Sequence, residues 1–188
     1  MGFDFSLHAR RLCEDMVARL PELRHVEMGR VAVGFSQTRS ASNFGTYATL
    51  TPLRFPGGRL ETVRRGRTYG IQRLYDASGV EMLYVLSFYL PRFLDLEFRR
   101  KLVTTAHELW HIGPQFDGDV RRYEGRCYAH SSSKERFDQL AEALADRYLA
   151  AGPPEEVYAF LREDYRGLVA RHGRIYGLKI RGPKLVPL

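Results

Sequence analysis

The chain is expected to fold as an α+β protein around one core, and three observations lead there. Its 188 residues are 44% apolar and 27% charged, a length and composition suited to a single folded domain. Apolar residues first follow a helical period, then alternate in extended style from Val26 to Leu90. Beyond Pro91 they return to helical spacing. Segregated runs of strand and helix point to α+β, not to alternating βαβ units.

Taken in order, Leu7, Leu12, Met16, Val17 and Leu20 predict an amphipathic helix over Phe5 to Leu20, closed by Pro21. Val26 to Phe35 and Tyr47 to Phe55 read as strands separated by a polar loop, and Pro56-Gly57-Gly58 marks a turn. Thr68 to Tyr75 and Val80 to Leu90 flank Asp76-Ala77-Ser78-Gly79, which has the composition of a hairpin loop; together these strands predict a β-meander. Asp95 is the expected cap of a helix that carries Leu102, Val103, Ala106, Leu109 and Trp110 and ends at Gly113-Pro114. After a loop over Gln115 to Ser133, helices are expected over Lys134 to Ala151 and Glu155 to His172. The domain so defined spans 1–172, and 173–188, broken by glycines and two prolines, reads as an irregular basic tail.

No run approaches the roughly 18 apolar residues of a membrane helix. The opening residues lack the basic and apolar regions of a secretory signal, and Cys13 and Cys127 are too few for a disulfide framework, so a cytoplasmic setting is expected. Gly2 and Ser6 fit the loose myristoylation pattern, which carries little weight. The net charge of +7 comes almost wholly from 25 arginines against 4 lysines; arginine forks suit phosphate and carboxylate, so a polyanionic partner is one reading, and a compositional bias spread over a solvated surface is the preferred one.

Chemistry concentrates at Thr105-Ala106-His107-Glu108-Leu109-Trp110-His111-Ile112, an H-E-x-x-H. On a helix, positions i and i+4 lie about 40° apart, so His107 and His111 can reach one ion while Glu108 stands beside an activated water. Random order would produce this pattern roughly 0.01 times in such a chain. A catalytic zinc takes three protein ligands and an open position. His130, at the end of the following loop, is the preferred third ligand. Glu142, four residues before Asp146 on a helix, and Glu124 are the alternatives. His8, His25 and His172 lack ligand spacing and read as structural.

The stretch His107-Glu108-Leu109-Trp110-His111-Ile112, with the strand Tyr84-Val85-Leu86 and the run Phe98 to Thr105 before it, resembles the zincin metallopeptidases, more narrowly the small SprT-like and phage-associated ones. The resemblance implies His107, His111 and His130 as Zn2+ ligands, Glu108 as general base and a peptide or protein substrate. Tyr123, Tyr128, Arg121, Arg122 and Arg126 are available to steady charge on the carbonyl oxygen, and Asp117 or Asp119 can brace a histidine or only shape its own turn. An extended substrate is expected to add to a strand edge, for which Val80 to Leu90 is the candidate; its apolar run also suits an interior strand. A non-enzymatic alternative is a basic module with a structural or inactive zinc site, contacting nucleic acid through Arg171, Arg174, Lys179, Arg181 and Lys184 around Tyr176. A third reading keeps zinc hydrolysis but changes the bond attacked.

Overall fold

The computed structural model describes residues 2–38, 45–123 and 134–188. The fold is mixed α+β. Strand β1 (Phe3–Asp4) leads into helix α1 (Phe5–Arg19), where Asp4 caps the helix by accepting from the Leu7 N–H at 3.0 Å. Phe5, Ala9, Leu12, Cys13 and Met16 form the buried stripe of α1.

The central sheet contains β2 (Val31–Gln37), β3 (Ala48–Pro52) and β6 (Tyr84–Leu90) in the order β2-β6-β3. β6 runs parallel to β2 and antiparallel to β3, with Val33 opposite Leu86 and Leu50 opposite Leu86 on its other side. This is a mixed sheet and not the expected meander. The difference comes from β6, an almost unbroken apolar run buried on both faces, which has enough apolar surface to take a strand on each side. Tyr84–Leu90 is therefore the centre of the sheet, so the run Val80 to Leu90 holds an interior strand and its candidate role as a free edge is corrected.

The turn at Asp76–Gly79 forms, with the Asp76 carboxylate accepting from the Ser78 and Val80 N–H groups at 2.9 and 2.8 Å. Its ladder stops after the Tyr75–Glu81 bridge and the Met82-to-Leu74 bond. Residues 67–71 pair elsewhere. They form β5 (Arg67–Ile71), antiparallel to β4 (Glu61–Arg64) across Arg65-Gly66, whose φ angles of 49° and 75° make the two-residue hairpin loop.

Helix α2 (Phe98–Trp110) starts later than expected. Residues 91–96 form turns after β6, so Asp95 is held too early to cap α2 and instead accepts from the Tyr165 N–H at 3.1 Å. Helix α3 (Lys134–Ala150) packs against α2. The expected helix over Glu155 to His172 is divided into α4 (Glu155–Tyr158), a 3-10 turn over Ala159–Arg162 and α5 (Tyr165–His172). Asp164 divides it by capping α5, and the buried Lys101 of α2 donates to the Leu161 and Glu163 carbonyls at 2.9 and 2.7 Å, satisfying groups that a continuous helix would have used.

Segment 173–188, expected irregular, contributes β7 (Ile175–Tyr176), parallel to β1, and β8 (Leu185–Pro187), antiparallel to β5. Between them the Leu178 carbonyl accepts from the Phe35 N–H at 2.9 Å, so the tail lies along the outer edge of β2. The main core joins α1, α2 and α3 to the face of the sheet carrying Tyr84, Leu86 and Phe88; Leu53, Met82 and Val85 form a smaller cluster on the opposite face. Among the described residues no helix is long and apolar enough to cross a membrane.

Candidate metal centre

Helix α2 is fixed on three sides, which orients each candidate side chain. Leu102, Ala106 and Leu109 anchor it in the core, Lys101 ties it to the chain after α4, and α3 covers its remaining flank. His107 and His111 consequently face α3, and Glu108 faces β3. The two Nε2 atoms are 3.1 Å apart, and the rings are nearly perpendicular at 76°. Two imidazoles bound to one tetrahedral ion at ~2.0–2.1 Å would hold their nitrogens about 3.3 Å apart, so the observed spacing fits shared coordination. Phe137 of α3 packs on both rings, at 4.6 Å from His107 and 4.7 Å from His111, restricting their rotation.

The Glu108 side chain is nearly buried, and its carboxyl is pushed up to about 7 by loss of hydration, which a hydrogen bond from the Leu50 backbone N–H partly offsets. The strand explains that bond. Tyr47, Thr49, Thr51 and Leu53 turn their main-chain groups toward β6, as the Tyr89-to-Tyr47 and Leu53-to-Leu83 bonds show. Ala48 and Leu50 therefore point away from β6, along an outer edge with which no described strand pairs. Glu108 thus meets the outer edge of β3, which no described strand pairs, one residue along α2 from His107.

His111 is the C-cap of α2, and its carbonyl accepts from the Arg121 N–H at 2.7 Å. The intervening loop is pinned from the sheet by the Tyr84 hydroxyl, which donates to the Asp119 carbonyl at 2.9 Å and accepts from the Gly118 N–H at 3.0 Å. Gly118 has φ of +89°, and an added Cβ would lie 2.4 Å from Arg54 Cγ, so a larger residue there would force the loop off the sheet.

Among the described residues Asp117 and Asp119 shape this loop and neither bonds to His107 or His111. Asp117 accepts from the Asp119 N–H. Asp119 accepts the Arg122 fork at 2.7 and 2.8 Å and the Gly57 N–H at 2.8 Å. Burial raises the Asp119 carboxyl, but those donors together with Val120 N–H hold it below the usual carboxylate range. A depressed pKa means stability present at neutral pH and lost as pH falls. Asp119→Asn is therefore expected to cost about 1–3 kcal/mol at pH 7. The gap from the parent should narrow below pH ~4 in urea unfolding; a gap that persists undiminished would show that the charge on Asp119 contributes nothing.

Of the expected carbonyl-oxygen donors, Arg121 lies 3.8 Å over the Trp110 ring with its Nε on the Trp110 carbonyl, and Arg122 is engaged with Asp119. Tyr123 accepts from Trp110 Nε1 at 3.0 Å and lines, with Trp110, Arg136 and Phe137, a cavity of about 570 Å³ beside the histidine pair. His130, Glu124, Arg126, Cys127 and Tyr128 lie outside the described residues.

Glu142 is not brought to the histidines. It sits 3.8 Å from both Arg99 and Arg100, and Asp146 makes a two-bond fork with Arg99 at 2.9 Å. Those arginines begin α2, some 10 Å of helical rise before His107. Asp138, one turn before Glu142, instead places its Oδ1 3.7 Å from His107 Nδ1. Sequence reasoning missed Asp138; the i, i+4, i+8 series Asp138, Glu142, Asp146 marks an acidic ridge that could have revealed it, facing α2 along its length. Among the described residues no three His, Cys, Asp or Glu side chains gather as a metal site. His25 contacts the Ile112 carbonyl at 3.3 Å, while His8 and His172 pack on Phe3.

No protein-family model matches the chain, and neither does any curated protein or solved structure.

Proposed function

We propose that the protein is a zinc-dependent peptidase of the zincin type, with His107 and His111 as ligands and Glu108 as general base. The observation that carries this reading is the 3.1 Å approach of the two Nε2 atoms, with a nearly buried carboxylate on the same helix. Zinc, when bound, makes water acidic and polarises a carbonyl. The chain's own part is as follows. Glu108 removes the proton from the attacking water and returns it to the leaving amine, a role suited to a carboxyl raised to about 7. Phe137 holds the ligand rings, and Asp138 steadies His107 from its Nδ1 side. An extended peptide adds to the outer edge of β3, where Ala48 offers its main-chain groups and Leu50 its carbonyl, the Leu50 N–H being held by Glu108.

Metal analysis of the purified chain, followed by cleavage of an unfolded protein substrate with and without chelator, tests the proposal. One zinc per chain and chelator-sensitive cleavage are expected; a chain that takes up no divalent metal would end it. His130 is the proposed third ligand. His130→Ala should lower zinc affinity at least ~10-fold, whereas Glu142→Ala should leave zinc unchanged and only loosen the α2–α3 charge pairing. Equal zinc affinity in His130→Ala and the parent would remove His130 from the site.

A further inference from the structure

On the opposite face of the central sheet from α2, the tail arches over a groove of about 410 Å³. Its ends are pinned, one by the Phe35 N–H on the Leu178 carbonyl and the other by the Gln72 N–H on the Lys184 carbonyl, at 2.9 and 2.8 Å. The floor is apolar, formed by Leu53, Leu74, Val85 and Ile180. The rim is cationic, formed by Arg73, Lys179, Arg181 and Lys184. Arg73 is paired with Glu81 at 3.0 Å, but that carboxylate also carries Arg54 at 2.8 Å and has Arg30 at 4.0 Å, so one negative charge faces three positive ones. Lys179, Arg181 and Lys184 form no ion pair with any described residue. The net charge of the chain is not spread evenly. Residues 53–85 and 177–188 hold nine cationic and three acidic residues, six of the seven net positive charges.

We propose that this groove binds an aliphatic carboxylate, its hydrocarbon body on Leu53, Leu74, Val85 and Ile180 and its head group on the Lys179, Arg181 and Lys184 side. An apolar floor under an unneutralised cationic rim matches a ligand with one oily and one anionic end, and the volume falls in the range of small-molecule sites. The site lies on the far side of the sheet from the histidine pair, and its occupancy is independent of the proposed zinc chemistry.

Calorimetric titration of the full chain with dodecanoate, below its micelle concentration, tests the proposal. Saturable binding of one dodecanoate per chain is expected, unchanged by chelator, with dodecyltrimethylammonium at least tenfold weaker. Replacing Lys179, Arg181 and Lys184 together by Ala should weaken dodecanoate at least tenfold without shifting the unfolding temperature, since these exposed side chains hold no described partner. Ile180→Asp, which places a carboxylate in the floor, should do the same. No dodecanoate binding to the parent, equal binding of the cationic analogue, or undiminished binding by the triple variant would each overturn the proposal. So would a short DNA duplex binding in place of dodecanoate and weakening with the same triple variant, which would assign the rim to a phosphate backbone.

Discussion

Glu108→Gln is expected to abolish peptide hydrolysis, lowering kcat at least ~10³-fold, while zinc content stays at the parental level. Glutamine keeps the shape of the side chain and an oxygen able to accept from Leu50, but it cannot take a proton from water. The same substitution has an opposite effect on folding. In the chelated parent, burial raises the carboxyl to about 7 from an ordinary 4.5, so its stability contribution is intact below pH 4.5 and is lost as pH rises toward 7. At pH 8 the metal-free fold carries an ionised, nearly dehydrated carboxylate, and removing that charge should stabilise the chelated chain by about 3 kcal/mol. Urea unfolding in chelator at pH 8 and at pH 4 separates the outcomes, because the gain should vanish at the lower pH. A variant that cleaves as fast as the parent would move the base elsewhere, and one that is less stable than the parent at pH 8 would contradict the burial.

Two results on one side chain would also distinguish a chemical role from a packing role. A buried glutamate whose charge the fold stabilised would be expected to destabilise when neutralised, since the hydrogen bonds to that charge would be weakened. Activity lost together with stability gained is the signature of a group held at a cost to the fold because its charge is used.

The parts of this picture legible in the sequence are those governed by local spacing. His107 and His111 are one helical turn apart in any α-helix, and α1 follows from a stripe of Leu12, Met16 and neighbours that the fold buries as the period requires. The sheet order was not legible, because the parallel pairing of β2 with β6 joins strands some fifty residues apart and depends on which apolar run is buried on both faces. Asp76–Gly79 carries the stronger turn residues and does turn, yet the longer ladder forms across Arg65-Gly66. Arg65-Gly66 forms the tighter loop, and the left-handed conformation of Arg65 has no strong signal in an arginine. The wall of the candidate site was hidden for a similar reason. Phe137 and Asp138 are ordinary residues in an amphipathic helix until α3 is laid antiparallel against α2, which sets Phe137 on both histidines and sends Glu142 to the arginines at the far end.

His111→Ala and His107→Ala are expected to remove zinc and with it all cleavage, each lowering metal affinity by at least ~10²-fold, but the two should differ in what they do to the metal-free fold. His111 is 8% exposed and ends α2, where Phe137 stacks on its ring, so the Ala variant leaves a cavity under α3 and should cost about 1–3 kcal/mol. His107 is more open, with 21% of its side chain exposed and Asp138 beside it, and its removal should cost under about 1 kcal/mol. Thermal unfolding of chelated protein would rank them, and zinc titration followed by competition with a coloured chelator would give the affinities. If both variants bound zinc like the parent, the 3.1 Å contact would be a hydrogen bond between two imidazoles sharing one proton, a packing device of the α2–α3 interface. Loss of zinc in both, with the larger stability cost confined to His111, would instead show that the pair is held for the ion and that only its inner member also supports the helix.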